Sequence, residues 1–313
     1  MTSFKREINN LATIKALWDN GGGFLRKVRT SYIERGEAIL TFRRDQATLY
    51  YNGNQLSNLA APEYMPTINE LFLPLLRSHV LGKRSNGNND AHEYIDETEW
   101  KLRSNMETSK IEFSDVLLEI CSNISAHKTP ESYLVSKLYK YSPLNPGNNS
   151  SIVLLDVEAV FAVPGTRKSD RIDLVFYNID EKQLIFVEAK GLWDGRLFDN
   201  EKKKCPAEII DQMSRYHRIL TDPDERSNIK VQYNNVIEYY NYIGDLSLPT
   251  IEDKEPLLGL LVFGYDGSIE DTEKLNKVKQ ILCGAKIKHY CVGDTQNVTQ
   301  NTLEAMYRRF ATK

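Results

Sequence analysis

Residues 171–191 read Arg-Ile-Asp-Leu-Val-Phe-Tyr-Asn-Ile-Asp-Glu-Lys-Gln-Leu-Ile-Phe-Val-Glu-Ala-Lys-Gly, two apolar runs on either side of a polar turn. Such runs predict adjacent strands in the interior of a sheet. Each carries charge where an interior strand should not: Asp173 opens the first, and Glu188 and Lys190 close the second. Burying a carboxylate costs about several kcal/mol unless it is paired or binds a metal. Glu188 and Lys190 are two apart, so on a strand both side chains emerge on one face. Two carboxylates and a lysine converging at strand ends constrain the fold around a site, and that site suits a divalent metal.

The surrounding pattern frames these strands. Pro130 to Tyr141 read as a helix with Thr129 as its cap. Ile152 to Val163 read as a long strand turned by Pro164-Gly165, and Pro206 to Leu220 as a helix with apolar residues at helical spacing. Leu257 to Phe263 are apolar without interruption, as in a strand covered on both faces. A helix from about Ile269 to Leu282, a strand from Lys286 to Val292 and a helix from Thr302 to Phe310 follow. This succession predicts an α/β domain over residues 126–313, a mixed central sheet flanked by helices. Residues 1–125 read as a separate N-terminal α+β module. It has a helix over Leu11 to Trp18, strands at Ala38 to Phe42 and Ala47 to Tyr51, and a further strand from Gln55 after the Asn52-Gly53 turn. Thr67 and Glu70 have capping-box spacing for a helix, and helices are expected over about Glu93 to Leu102 and Ser114 to Ile124.

The 313 residues carry a net charge of −3, which gives no global field toward polyanions. Contact with nucleic acid would need a local patch, a metal or a partner. The four cysteines, Cys121, Cys205, Cys283 and Cys291, have no zinc-site spacing and fit a reducing cytoplasm. The longest apolar stretch is too short to span a bilayer, and the N-terminus leads into no signal-like run, so a cytoplasmic protein without a membrane partner is expected.

Asp173, a separation of 15 residues, and Glu188-Ala189-Lys190 resemble the PD-(D/E)xK nuclease superfamily, whose core is helix, three strands, helix, strand. Ile172 stands where the motif's proline would be. Gln212-Met213-Ser214-Arg215-Tyr216 is similar to the Gln-x-x-x-Tyr signature of the RecB-like branch. The resemblance covers roughly residues 126–292 and leaves the N-terminal part without a counterpart. It implies a restriction-endonuclease-like fold and metal-dependent hydrolysis of phosphodiesters. Asp173, Glu188 and the Ala189 carbonyl would hold Mg²⁺ or Mn²⁺, Lys190 would be the catalytic lysine, and Gln212 and Tyr216 would place the substrate strand. DNA is favoured over RNA as substrate, and antiviral defence or DNA processing with an ATPase or helicase partner, or a homo-oligomer, is the implied setting. A non-catalytic nucleic-acid- or protein-binding subunit on the same fold is the alternative.

Two glutamates are further metal candidates. Glu131 lies in the first turn of a helix, where the helix dipole alone favours acid. Glu158 sits inside an apolar strand and would share a face with Asp173 if the two strands form a hairpin. Arg167, Lys168 and Arg171 around the turn, and Lys202, Lys203 and Lys204 after the second strand, are candidate phosphate contacts or simply solvated loops. Tyr233, Tyr239, Tyr240 and Tyr242 could stack on bases but read better as core or interface.

Overall fold

The computed structural model describes residues 4–19, 24–60, 65–69, 94–95, 130–162, 169–199 and 205–312. Five strands form a mixed sheet in the order β10-β9-β8-β7-β6. They are β6 (Ile152–Ala162), β7 (Ser169–Asn178), β8 (Gln183–Gly191), β9 (Leu257–Phe263) and β10 (His289–Cys291). The chain runs antiparallel through β6, β7 and β8, and β9 and β10 then add in parallel. The central strands are apolar on both faces because both are covered. From Leu174 to Tyr177 and from Ile185 to Val187 no side chain is exposed.

A second, antiparallel sheet follows chain order: β1 (Ala38–Arg43), β2 (Gln46–Tyr51), β3 (Asn54–Ala60), β4 (Met65–Asn69) and β5 (Tyr94–Ile95). Arg44 and Asp45, and Asn52 with Gly53, take the positive φ that its two tight hairpins require. Thr67 therefore lies in a strand that pairs with β3, and the helix expected from it is corrected over residues 65–69. Tyr94–Ile95 likewise pair with β4 where a helix was expected to begin. The remainder of both expected helices, and the one over Ser114 to Ile124, lie outside the described residues.

The helices are α1 (Leu11–Asp19), α2 (Phe24–Val28), α3 (Pro130–Ser136), α4 (Glu208–Thr221), α5 (Pro223–Gly244), α6 (Ile269–Gly284) and α7 (Gln300–Ala311). Past Ser136 the chain tightens into a 3₁₀ turn over Lys137–Tyr141. The 22-residue α5 is the element that the periodicity reading lacked. Asp222 caps it by accepting from the Asp224 and Glu225 N–H groups, Pro223 opens it, and Asp245 at φ 53° ends it. Ile229, Tyr233, Val236, Tyr240 and Ile243 line its buried face at helical spacing, so these tyrosines are core, while Tyr242 is exposed.

One core runs through the described parts of both sequence units. Phe4 stacks on Phe161 of β6 at 4.6 Å. The Ile8 N–H donates to the Tyr239 hydroxyl, and the Tyr240 hydroxyl donates to Leu40 O of β1 and Leu155 O of β6. Asp156 of β6, 1 % exposed, accepts from Arg6 (Nε 3.0 Å, Nη2 2.7 Å), Arg43 (3.0 Å) and the Tyr233 hydroxyl (3.1 Å). The expected division near residue 125 falls outside the described residues. Among the described residues no helix is long and apolar enough to cross a membrane.

On the far side of the mixed sheet α7 packs close to β9, because Gly259 has no side chain: a Cβ there would come within 2.2 Å of the Phe310 ring. Gly259→Ala is therefore expected to lose about 1–3 kcal/mol through overpacking, read as a lowered denaturant midpoint with an unchanged slope.

Candidate active site

The sheet register assembles the site. Val157 pairs with Leu174 and Ala159 with Ile172, which sets Glu158 opposite Asp173. Leu174 pairs with Val187, which sets Asp173 opposite Glu188. Three acids thus form a row of neighbouring positions across β6, β7 and β8. A cleft of about 390 Å³ opens over this row, and Glu131, Lys190, Gln212 and Tyr216 also line it.

Glu188 is the most enclosed of the acids, at 1 % exposure. Its Oε1 accepts from Lys190 Nζ and from Gln212 Nε2 (2.8 Å). Its Oε2 is buried without a hydrogen-bond partner. Asp173 Oδ2 accepts from the Ala189 N–H at 2.9 Å, which ties the row together across the strands. Lys190 Nζ lies 3.6 Å from Asp173 Oδ2 and 3.6 Å from Glu131 Oε1, and donates to Ala189 O at 3.1 Å.

One ammonium thus faces three carboxyl groups, and the proton affinities of Glu188 and Glu131 rise beside it. Burial, then the Asp173 charge, push Glu188 well above the usual carboxylate range. Burial also raises Glu131, against the pull of Lys190. Lys190 is raised too: burial would lower it, but Asp173 and Glu188 outweigh that, so it stays a cation. The cluster holds more carboxyl groups than its one lysine could neutralise if all were ionised.

Glu158 enters the site in an unusual backbone state. Its φ of 52° inside a strand is left-handed, a conformation that costs a non-glycine residue about 1–3 kcal/mol. The antiparallel sheet holds it there. Arg43 of β1 donates to Val157 O and, at 3.2 Å, to Glu158 O, and the Tyr50 hydroxyl of β2 donates to Glu158 Oε2 at 3.2 Å. Arg171 Nη1 stands 3.3 Å from Glu158 Oε1. The N-terminal sheet therefore contributes two braces to the cleft.

Compared with family models, with curated proteins and with solved structures, the chain matches none.

Gln212 and Tyr216 share a face of α4 and turn inward. The Gln212 amide donates to Glu188 and to the Tyr216 hydroxyl, which donates in turn to Arg171 O. Tyr216 is 1 % exposed. Both therefore brace Glu188 and the β7 backbone. Arg215 pairs with Asp170 at 2.9 Å, while His217 and Arg218 are exposed. Arg171 is exposed at the mouth, whereas Arg167, Lys168, Lys202, Lys203 and Lys204 lie outside the described residues. The sequence reading missed Arg196, which lines the cleft from the 3₁₀ turn Gly195–Leu197 and is held by Asp194 at 3.0 Å. The signal for it was position: charged residues just past the carboxyl end of a buried strand tend to face a ligand.

The arrangement can accommodate a divalent cation. Among the described residues no three acid, histidine or cysteine side chains already stand in a metal-holding arrangement; the Lys190 ammonium lies between the acids. The donor set is nonetheless that of a hard cation: several carboxyl groups, a backbone carbonyl and a buried oxygen with no partner.

Proposed function

We propose that this protein is a metal-dependent phosphodiesterase acting on nucleic acid, with DNA as the preferred substrate, on a restriction-endonuclease-like core of the PD-(D/E)xK, RecB-like type. The observation that carries the reading is the buried, partnerless Oε2 of Glu188 within a row of three acids beside a charged lysine. An oxygen buried without a partner costs free energy that a cation would recover. Asp173, Glu188 and the Ala189 carbonyl would hold Mg²⁺ or Mn²⁺, with Glu131 and Glu158 at the same cleft. When bound, that ion lowers the pKa of water and neutralises charge on the phosphate.

The chain's own residues do the rest. Lys190 remains an ammonium; two of its N–H groups go to Glu188 and the Ala189 carbonyl, which leaves the third for an attacking water or a phosphate oxygen. Gln212 fixes Glu188 from one side and Asp173 is fixed by the Ala189 N–H. Arg171 and Arg196 bring positive charge to the cleft's wall, where a net charge of −3 gives none overall. An ATPase or helicase that delivers the nucleic acid would compensate for that weak global field.

The test is hydrolysis of linear DNA, circular DNA and RNA with Mg²⁺ or Mn²⁺, beside Asp173→Ala and Lys190→Ala. Each variant is expected to lose at least about a hundredfold in rate. Equal cleavage by the wild type and both variants would assign the activity to a contaminant. Metal-independent binding of nucleic acid with no cleavage would favour a non-catalytic subunit.

A further inference from the structure

Trp193 leaves 49 % of its surface in solvent, and it stands in sequence between Lys190 and Arg196, both of which line the cleft. Its place is constructed. The Leu192 N–H donates to Phe263 O at 2.8 Å and the Asp194 N–H to Gly191 O at 2.9 Å, closing a turn that carries the indole past the end of β8. The ring rests on two glycines. A Cβ on Gly191 would come within 2.4 Å of the indole Cε2, and one on Gly264 within 2.1 Å of its Cζ3. Phe263 meets the ring edge-on, with centroids 6.0 Å apart and planes at 84°. Bare backbone beneath and an aromatic edge beside it fix the plane of the ring while much of its surface faces water.

Half-exposing an indole forfeits free energy that burial would supply, so a rigid, half-exposed ring in the turn that joins the cleft-lining Lys190 and Arg196 calls for a ligand with a flat apolar face. Its neighbour Arg196 is held by Asp194 and points its charge at the cleft, which suits an anion attached to that face. We propose that Trp193 is a stacking platform for an unpaired nucleobase, so that the strand entering the cleft is single-stranded or frayed. The proposal rests on the phosphodiesterase reading for the identity of the ligand. A base inside a duplex has both faces covered by its neighbours and cannot offer one to the ring. Stacking of this kind tolerates any base, because every base has a π-face.

The test is binding of labelled oligonucleotides to the full chain in chelator, so that nothing is cut. Four probes serve: a DNA single strand, the same strand with abasic residues, its blunt duplex, and the single strand made as RNA. Trp193→Ala is expected to weaken the intact single strand about tenfold and to leave the abasic strand and the duplex within about twofold. Trp193→Phe should retain most of the affinity, because it keeps an aromatic face. A base-dependent loss on either DNA or RNA carries the proposal, and the strand that shows it assigns the sugar. Equal weakening of all probes, no change in any, or no binding by the wild type overturns it. So does a changed oligomeric state in Trp193→Ala with oligonucleotide binding intact, which would assign the ring to a protein contact. The nuclease reading fails separately: a base-dependent loss in a protein that cleaves nothing keeps the platform and removes the hydrolysis.

Discussion

Glu188→Gln is expected to melt about 2 °C higher than the wild type at neutral pH and to hydrolyse phosphodiesters about 10²- to 10³-fold more slowly. Glutamine keeps the shape and the Oε1 acceptor that Lys190 and Gln212 use and cannot ionise, so it removes the cost of holding protonated a buried carboxyl that the unfolded chain would ionise. Lys190 keeps Asp173 and Glu131 as counter-charges, so the substitution strands no cation. A carboxyl group whose pKa is raised on folding contributes stability that is complete below its unfolded pKa and disappears as pH rises through the folded value. For Glu188 that window runs from 4.5 to about 8. The advantage of the variant should thus grow through this window and vanish at its acid end, as thermal melts at several pH values would read. Mg²⁺ should raise the melting temperature of the wild type and not of the variant. A variant that is less stable at all pH values, with neither protein responding to Mg²⁺, would falsify the assignment of Glu188 as a ligand.

The site was legible to the extent that its residues contradict their surroundings. Asp173, Glu188 and Lys190 interrupt apolar runs, and period-two alternation puts the last two on one face. Glu158 interrupts β6 in the same way, and the register sets it opposite Asp173. Gln212 and Tyr216 showed their shared helix face but not its direction: that Tyr216 turns inward to Arg171 O depends on how α4 lies on β7. The left-handed backbone of Glu158 has no local signature, since nothing in the residues beside it demands a positive φ; it is imposed by Arg43 and Tyr50 from more than a hundred residues away.

The fold was legible wherever apolar period and turn chemistry agree. Charged and amide residues interleave through α5, so its periodic face is hard to see until Ile229, Tyr233, Val236, Tyr240 and Ile243 are aligned. Thr67 and Glu70 have the spacing of a capping box, yet pairing with β3 overrides that local preference over residues 65–69. The strand expected over Lys286 to Val292 is only His289–Cys291, because Lys286 takes a positive φ and ends the turn that leaves α6. Least legible was the union of the two sequence units. A buried ion pair between residues 6 and 156 cannot be read from either partner's neighbours.

That ion pair should carry the largest stability effect among the described residues. Asp156→Ala is expected to cost about 3–5 kcal/mol, because it leaves the guanidinium groups of Arg6 and Arg43 and the Tyr233 hydroxyl facing a gap in the core. Burial alone would raise the Asp156 pKa, but Arg6 and Arg43 more than offset it and hold the carboxyl below its ordinary value. A depressed carboxyl contributes stability that is present above its unfolded pKa and lost as pH falls through the folded one. The wild type should therefore lose stability steeply below about pH 3.8, the ordinary aspartate value, and Asp156→Ala much less so. Arg6→Ala removes one partner and leaves Arg43, so its cost should be smaller; the double variant with Asp156→Ala should cost less than the two singles added. Restoring bulk at position 156 with Asn should recover part of the stability, while Glu158 keeps its braces from Arg43 and Tyr50. If Arg6→Ala costs no more than a surface substitution, about 0.5 kcal/mol, the N-terminal segment is an appendage to the mixed sheet and not part of its core.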